Sequence, residues 1–204
     1  GEERRLELEL RLAADIVIVG PPNAGKSALL VKKSRAAPAV AEYPFTTREP
    51  VMGVIDLGTK DMVIMELPGL VPGSHLGRGL GNGFLRHLER ARVLLFLLAG
   101  DAPDSVSDYL AVQEELFKYD QDLIRKHQVV VVNKVDLAQT RAQVTEITAR
   151  FQEIGKPVCF ISAQTGQGVE DVIGLAVSKA ESIPQRGTET IAAVFRPKPR
   201  SGRR

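Results

Sequence analysis

The residues GPPNAGKS, Gly20 to Ser27, satisfy the pattern G-x-x-x-x-G-K-[ST]. Their chemistry is anion binding. Gly20, Pro21, Pro22, Asn23, Ala24 and Gly25 form a loop whose backbone N–H groups, with the helix N-terminus that follows, cradle phosphates. Gly25 permits close approach, Lys26 meets the β- and γ-phosphates of a nucleoside triphosphate, and the Ser27 hydroxyl ligates Mg²⁺. A plain glycine turn before a helix needs neither the lysine nor the serine. The loop alone does not separate ATP from GTP, so the base must be read elsewhere.

VVVVNKVD supplies a reader of the base. Asp136, beyond an apolar run, can accept two hydrogen bonds from the N1–H and exocyclic amine of guanine, a pair that adenine does not offer. Asn133 and the aliphatic stem of Lys134 shape and cover the base pocket, and CFISAQ sets Ser162, Ala163 and Gln164 in a loop where the Ala163 N–H can reach guanine O6. Two further segments suit a γ-phosphate sensor. EYPFTTREP carries Phe45, Thr46 and Thr47; Thr47 is the expected second Mg²⁺ ligand, with Thr46 as the alternative. ELPG carries Glu66, Leu67, Pro68 and Gly69, and the Gly69 N–H can meet the γ-phosphate where a strand ends. Loss of that phosphate removes both contacts, so both loops are expected to relax.

These groups meet only if strands and helices alternate. Apolar runs rich in β-branched residues lie at 16–19, 51–55, 62–65, 93–98, 129–132 and 158–161, with helical patterns at 26–35, 84–89, 105–117, 138–153 and 169–182. Short continuous apolar strands with helices between them imply an α/β fold, a mostly parallel six-stranded sheet with helices on both faces. Only the second and third runs are close enough for a hairpin, through LGTKD, so one edge pair is expected to be antiparallel. The glycines at 69, 73, 77, 79, 81 and 83 predict a mobile loop, and GRGLGNG does not match the dinucleotide-binding pattern G-x-G-x-x-G.

With 204 residues, 44% hydrophobic and 25% charged, the chain fits one domain able to bury a core. No apolar run reaches the roughly 18–20 residues of a spanning helix, and no secretory pattern opens the chain, so a cytoplasmic protein with no membrane partner is expected. The single cysteine, Cys159 in PVCFIS, excludes an internal disulfide and reads as a small core hydrophobe. Net charge is +2, of which the tail RPKPRSGRR contributes +5, leaving the rest at −3. That tail is expected to be a solvated linker, with RNA phosphates as its alternative partner. RLELELRL, Arg5 to Leu12, alternates like a strand before the main domain starts, and the chain opens on Gly1. The expected organisation is therefore the end of a preceding domain over 1–14, a nucleotide-binding domain over 15–183, and a basic linker or tail over 184–204.

The loop GPPNAGKS, the segment YPFTT, LPGL followed by GLGNGFLRHLERARVLL, and NKVD with SAQTGQG together resemble the G domain of the Obg family of GTPases. The likeness covers roughly residues 15–183. It implies a Ras-like P-loop fold, GTP and GDP as ligands, Mg²⁺ as cofactor, and slow hydrolysis in a bacterial or organellar switch acting in assembly of the large ribosomal subunit. RLELELRL resembles the last strand of that family's glycine-rich N-terminal domain, on which its ribosome contacts depend. A monomer that binds no DNA is expected.

Two positions set the limits of this likeness. The family pattern D-x-P-G has Glu66 in place of its aspartate, which ordinarily holds Mg²⁺ through a water, and one extra methylene shifts that carboxylate against a strictly octahedral ion. The alternative to a working hydrolase is thus a GTP/GDP-gated binding module. Leu70, after the glycine, is usual in the family and excludes a glutamine that orients water. Asn23 resembles the asparagine that holds K⁺ in potassium-activated GTPases, so K⁺ is a candidate activator. His75, His87, His127, Arg48 and Arg78 read as bystanders or solvated charges, and neither a Cys/His cluster nor a Ser/His/Asp arrangement competes with the phosphate loop.

Overall fold

Apolar strands separated by helices build one sheet whose alternate side chains serve two opposite cores. The computed structural model describes residues 14–35, 38–40, 51–58, 60–73, 88 and 90–183. Its elements are β1 (Ile16–Val19), α1 (Lys26–Lys33), β2 (Ala39–Val40), β3 (Val51–Asp56), β4 (Asp61–Glu66), β5 (Val93–Ala99), α2 (Ser105–Tyr119), β6 (His127–Asn133), α3 (Ala138–Glu153), β7 (Val158–Phe160) and α4 (Val169–Glu181). The strands lie in the order β2-β3-β4-β1-β5-β6-β7. β1 runs parallel to β4 and β5, and β6 parallel to β5 and β7, while β3 is antiparallel to β4 and β2.

All six expected strands are present and the expected hairpin is antiparallel. The difference is a seventh strand, β2, whose two residues are too few to carry a periodicity. A short 3₁₀ turn at Leu123–Arg125 was likewise not expected. The helix expected at 84–89 lies outside the described residues apart from Leu88, which is buried. The strand-like 5–12, the loop residues Phe45, Thr46, Thr47, Arg48, His75, Arg78 and His87, and the basic tail also lie outside them.

On one face Val17, Val19, Phe96, Leu98, Val130 and Val132 pack beneath α2 and α3. On the other, Ile16, Ile18, Leu95, Leu97, Val129 and Val131 pack beneath α1 and α4. Both faces are dry, which is why the strands read as unbroken apolar runs. Tyr109 joins the first layer edge-on to Phe96 at 5.0 Å and to Phe151 at 5.8 Å between ring centres. Cys159 is only partly buried, at the margin of the second core.

The chain leaves β1 into the loop before α1, and the strands that follow fall first to one side of β1 and then to the other. Such a reversal opens a crevice at the carboxyl ends of the strands, where open α/β sheets bind ligands. α2 starts beside this edge on a built cap. Asp104 accepts the N–H groups of Val106 and Ser107, each at 3.0 Å, and the guanidinium of Arg150 in α3 at 2.7 Å. The Arg150 hydrogen bond, then that of the Ser107 N–H, holds the Asp104 carboxyl well below the usual carboxylate range.

A folded-state carboxyl depressed in this way stabilises the protein above its unfolded pKa, and the contribution is lost as pH falls toward the folded value. Asp104→Ala is expected to cost about 1–2 kcal/mol at neutral pH in urea denaturation. The difference from the parent should persist down to about pH 4 and narrow below it.

Candidate functional site

α1 begins without a side-chain cap. Its N-cap is Gly25, at φ 92°, and no acidic side chain occupies its first turn. The first-turn N–H groups are therefore available to an anion. Pro21 and Pro22 have no N–H, so within the loop the donors run from Asn23, itself at φ 61°, onward. Gly25 is required twice over, by its positive φ and because a Cβ there would lie 2.3 Å from the Asn133 side-chain amide.

Lys26 is 5% exposed. Its ammonium donates to the carbonyls of Gly20 at 3.2 Å and Pro21 at 2.8 Å, so in this structure the charge folds back onto its own loop. Burial lowers its pKa, against the pull of the Glu66 charge. Ser27 Oγ donates to Glu66 Oε1 at 2.8 Å. Glu66 is 9% exposed, and its other oxygen, Oε2, is buried with no hydrogen-bond partner. Burial raises its pKa, opposed by the Ser27 hydrogen bond and the Lys26 charge. A hydroxyl beside a carboxylate with a bare buried oxygen is a hard-oxygen donor set that suits Mg²⁺, which takes one or two protein oxygens and fills its octahedron with phosphate and water. Among the described residues no cluster of three His, Cys, Asp or Glu side chains forms a metal cage.

The segment after β4 is tied to the phosphate loop. The Leu67 N–H donates to Ile18 O and the Leu70 N–H to Gly20 O, both at 3.1 Å. A Cβ on Gly69 would fall 2.6 Å from the Pro22 nitrogen, so a side chain there would push the two loops apart. The side chains of Leu67 and Leu70 are buried in the core beneath α2, so neither faces the crevice. Gly73, at φ 88°, donates its N–H to Glu115 Oε1 of α2 at 3.0 Å.

Asn133, at the end of β6, joins the phosphate loop to the base-reading loop. Its amide donates to Ala24 O and its carbonyl accepts the Ala163 N–H, both at 2.8 Å and buried. The Ala163 N–H expected at guanine O6 is thus on Asn133 in this structure. Lys134, at φ 71°, places its ammonium on both oxygens of Asp101, at 2.8 and 2.9 Å. Gly25, Ala28, Asn133, Lys134, Asp136, Leu137, Ala163 and Gln164 line a shallow cleft of about 160 Å³. Ser162 is buried beneath it, and its hydroxyl accepts the Thr165 N–H at 3.1 Å.

A profile of the family described as "50S ribosome-binding GTPase" matches residues 15–134, more than half of the chain. The chain belongs to this GTPase family. GTPase Obg of Dehalococcoides mccartyi is 45% identical over 205 residues, covering 98% of this chain and 48% of the relative. GTPase Obg of a Synechococcus species is 48% identical over 175 residues, covering 85% of this chain and 45% of the relative. The chain spans about half the length of the curated relatives it matches. The resemblance read from the motifs is borne out. Among solved structures, the G domain of the T. maritima FeoB iron transporter matches with a TM-score of 0.60 at 20% identity, covering 83% of this chain and 99% of that one. That likeness confirms the P-loop G-domain fold.

The described residues of this GTPase domain thus meet at one sheet edge, the phosphate loop and Glu66–Gly69 at the centre and NKVD with SAQ to one side. Sequence reasoning missed Asp101 and Glu115. Asp101 left a faint signal, an acid directly after an apolar strand; Glu115, one acid among several on a helix, left none. Hydrogen bonds to charged groups contribute about 1.5–3 kcal/mol. Glu115→Ala is accordingly expected to speed hydrogen exchange at the Gly73 amide by about tenfold or more, with the Leu70 amide little changed.

Proposed function

We propose that the chain is a Mg²⁺-dependent nucleotide switch that binds GTP and hydrolyses it slowly to GDP and phosphate. The observation that carries this reading is the Asn133 bridge. It sets an uncapped helix start and a buried Lys26 at a fixed span from the cleft that holds Asp136, so one edge offers a phosphate cradle and a base reader together. The family and the names of its relatives, GTPase Obg, support the same nucleotide.

In this reading the N–H groups from Asn23 to Ser27 hold the phosphates, and Lys26 leaves the Gly20 and Pro21 carbonyls to meet transferring charge. Ser27 and Thr47 would hold Mg²⁺, and the ion would supply charge neutralisation at the phosphates. Gly69 senses the γ-phosphate, while Phe45, Thr46 and Pro68 border the nucleotide. Asp136 accepts the guanine edge, Lys134 covers the base from its Asp101 anchor, and Ser162 and Gln164 support the loop around Ala163. With Leu70 committed to the core, no side chain at that position orients water. Asn23 is then the candidate to hold K⁺. Turnover that proceeds without an arginine finger is lower by roughly 10³–10⁵, which accords with slow hydrolysis.

In this reading residues 15–183 form the switch, 1–14 are the last strand or linker of a preceding domain, and 184–204 are a basic linker or tail. The protein acts as a cytoplasmic monomer on the large ribosomal subunit or its precursor, through regions beyond the G domain. Among the described residues no helix is long and apolar enough to cross a membrane. The burial of Glu66, with one oxygen unsatisfied, favours a second reading in which GTP and GDP gate binding with little hydrolysis.

Single-turnover hydrolysis of GTP with Mg²⁺, run beside a binding titration, separates the two. Steady slow turnover, faster in K⁺ than in Na⁺, is expected; equal rates in the two salts remove the K⁺ role. Tight binding with no turnover, restored in Glu66→Asp, would leave the gated module. Asp136→Asn is expected to weaken GTP binding by about tenfold or more and to favour xanthosine triphosphate, whose C2 carbonyl accepts from the new amide.

A further inference from the structure

We infer that the Glu66 carboxylate takes a coordination position on the nucleotide-bound metal ion directly, where an aspartate at the same position reaches it only through water. The inference rests on the nucleotide-and-metal reading above and deepens it.

The backbone at Glu66 has no freedom to retreat. It ends β4 between two neighbours, in register with Ile18 of β1 and with Val51 of β3. The next N–H, that of Leu67, is held on Ile18 O at 3.1 Å. The extra methylene therefore cannot be absorbed by moving the chain back, and it carries the carboxylate forward. An aspartate on the same Cα would stop about 1.5 Å short, one carbon–carbon bond. That shortfall would keep the carboxylate farther from an ion on the Ser27 hydroxyl and leave a gap that water bridges.

The two oxygens of Glu66 are in different situations. Oε1 accepts the only proton of the Ser27 hydroxyl, which leaves the lone pairs of Ser27 for an ion. Oε2 is buried, on a residue 9% exposed, and has no hydrogen-bond partner. A bare carboxylate oxygen in the interior is costly unless a donor or cation meets it. The neighbouring cation, Lys26, is hydrogen-bonded to the carbonyls of Gly20 and Pro21. A hard divalent ion on the Ser27 hydroxyl meets the remaining need at Oε2.

The consequence is a drier ion. With GDP, when the relaxed threonine segment no longer supplies Thr47, an octahedral metal held by Ser27 and one β-phosphate oxygen keeps about four waters, and direct Glu66 ligation reduces that to about three. The test uses Mn²⁺ as the probe, bound with GDP to the whole chain, and counts its water ligands by electron paramagnetic resonance in ¹⁷O-enriched water. About three waters in the parent and one more in Glu66→Asp support direct ligation. About four waters in the parent overturn it, whatever the variant does, and so do equal counts in parent and variant. Failure of Mn²⁺ and GDP to bind the parent together would overturn the nucleotide-and-metal reading itself, and this inference with it.

Discussion

Everything at the nucleotide edge depends on the Asn133 side chain. A backbone ladder fixes strands only to their neighbours, and the loops beyond the ladder have no such constraint. Asn133 stands in register with Ala99 of β5 at the last rung. From there its amide reaches Ala24 in one loop and Ala163 in another. Because these bonds are buried, water cannot replace either partner, and losing one would leave a polar group unsatisfied. The crevice is thus held open at a width set by one amide. Its packing against Gly25 is close enough that any side chain on that glycine would displace it.

The two-sided sheet provides the rigid base for this arrangement. β1 and β5 are fully buried, so their carboxyl ends are placed by the core and their loops inherit that precision. The loops then use polar groups that would be costly elsewhere. Lys26, Glu66 and Glu115 are all nearly inaccessible to solvent, and each lies at the edge or on a segment leading from it. For Lys26 and Glu66 the buried charge sits at or beyond the ends of strands, above a dry middle, which keeps the polar cost away from the core that stabilises the domain.

What the sequence made legible follows from how local each signal was. The strands at 16–19 and 93–98 were readable because both faces are apolar, and the hairpin at 51–66 because only a short turn separates its arms. GPPNAGKS and NKVD were readable because phosphate and guanine recognition demand particular residue types at fixed spacing. β2 was too short to leave a pattern. The Glu115–Gly73 and Lys134–Asp101 contacts join residues 42 and 33 positions apart, and no periodicity encodes such pairs. Leu70 was legible in part. Its type excluded a side chain that orients water, but nothing local showed that it turns into the core while its N–H stays with the phosphate loop.

That placement of Leu70 has a thermal consequence. The segment from Leu67 to Gly73 is secured at one end by aliphatic burial and at the other by a charged hydrogen bond to Glu115. Aliphatic burial weakens on cooling, since its driving force near room temperature is entropic, whereas the polar tether does not share that origin. The two moorings therefore respond differently to temperature. Cooling loosens the aliphatic one relative to the polar bonds, those to Glu115 and those of the Leu67 and Leu70 N–H groups to Ile18 and Gly20.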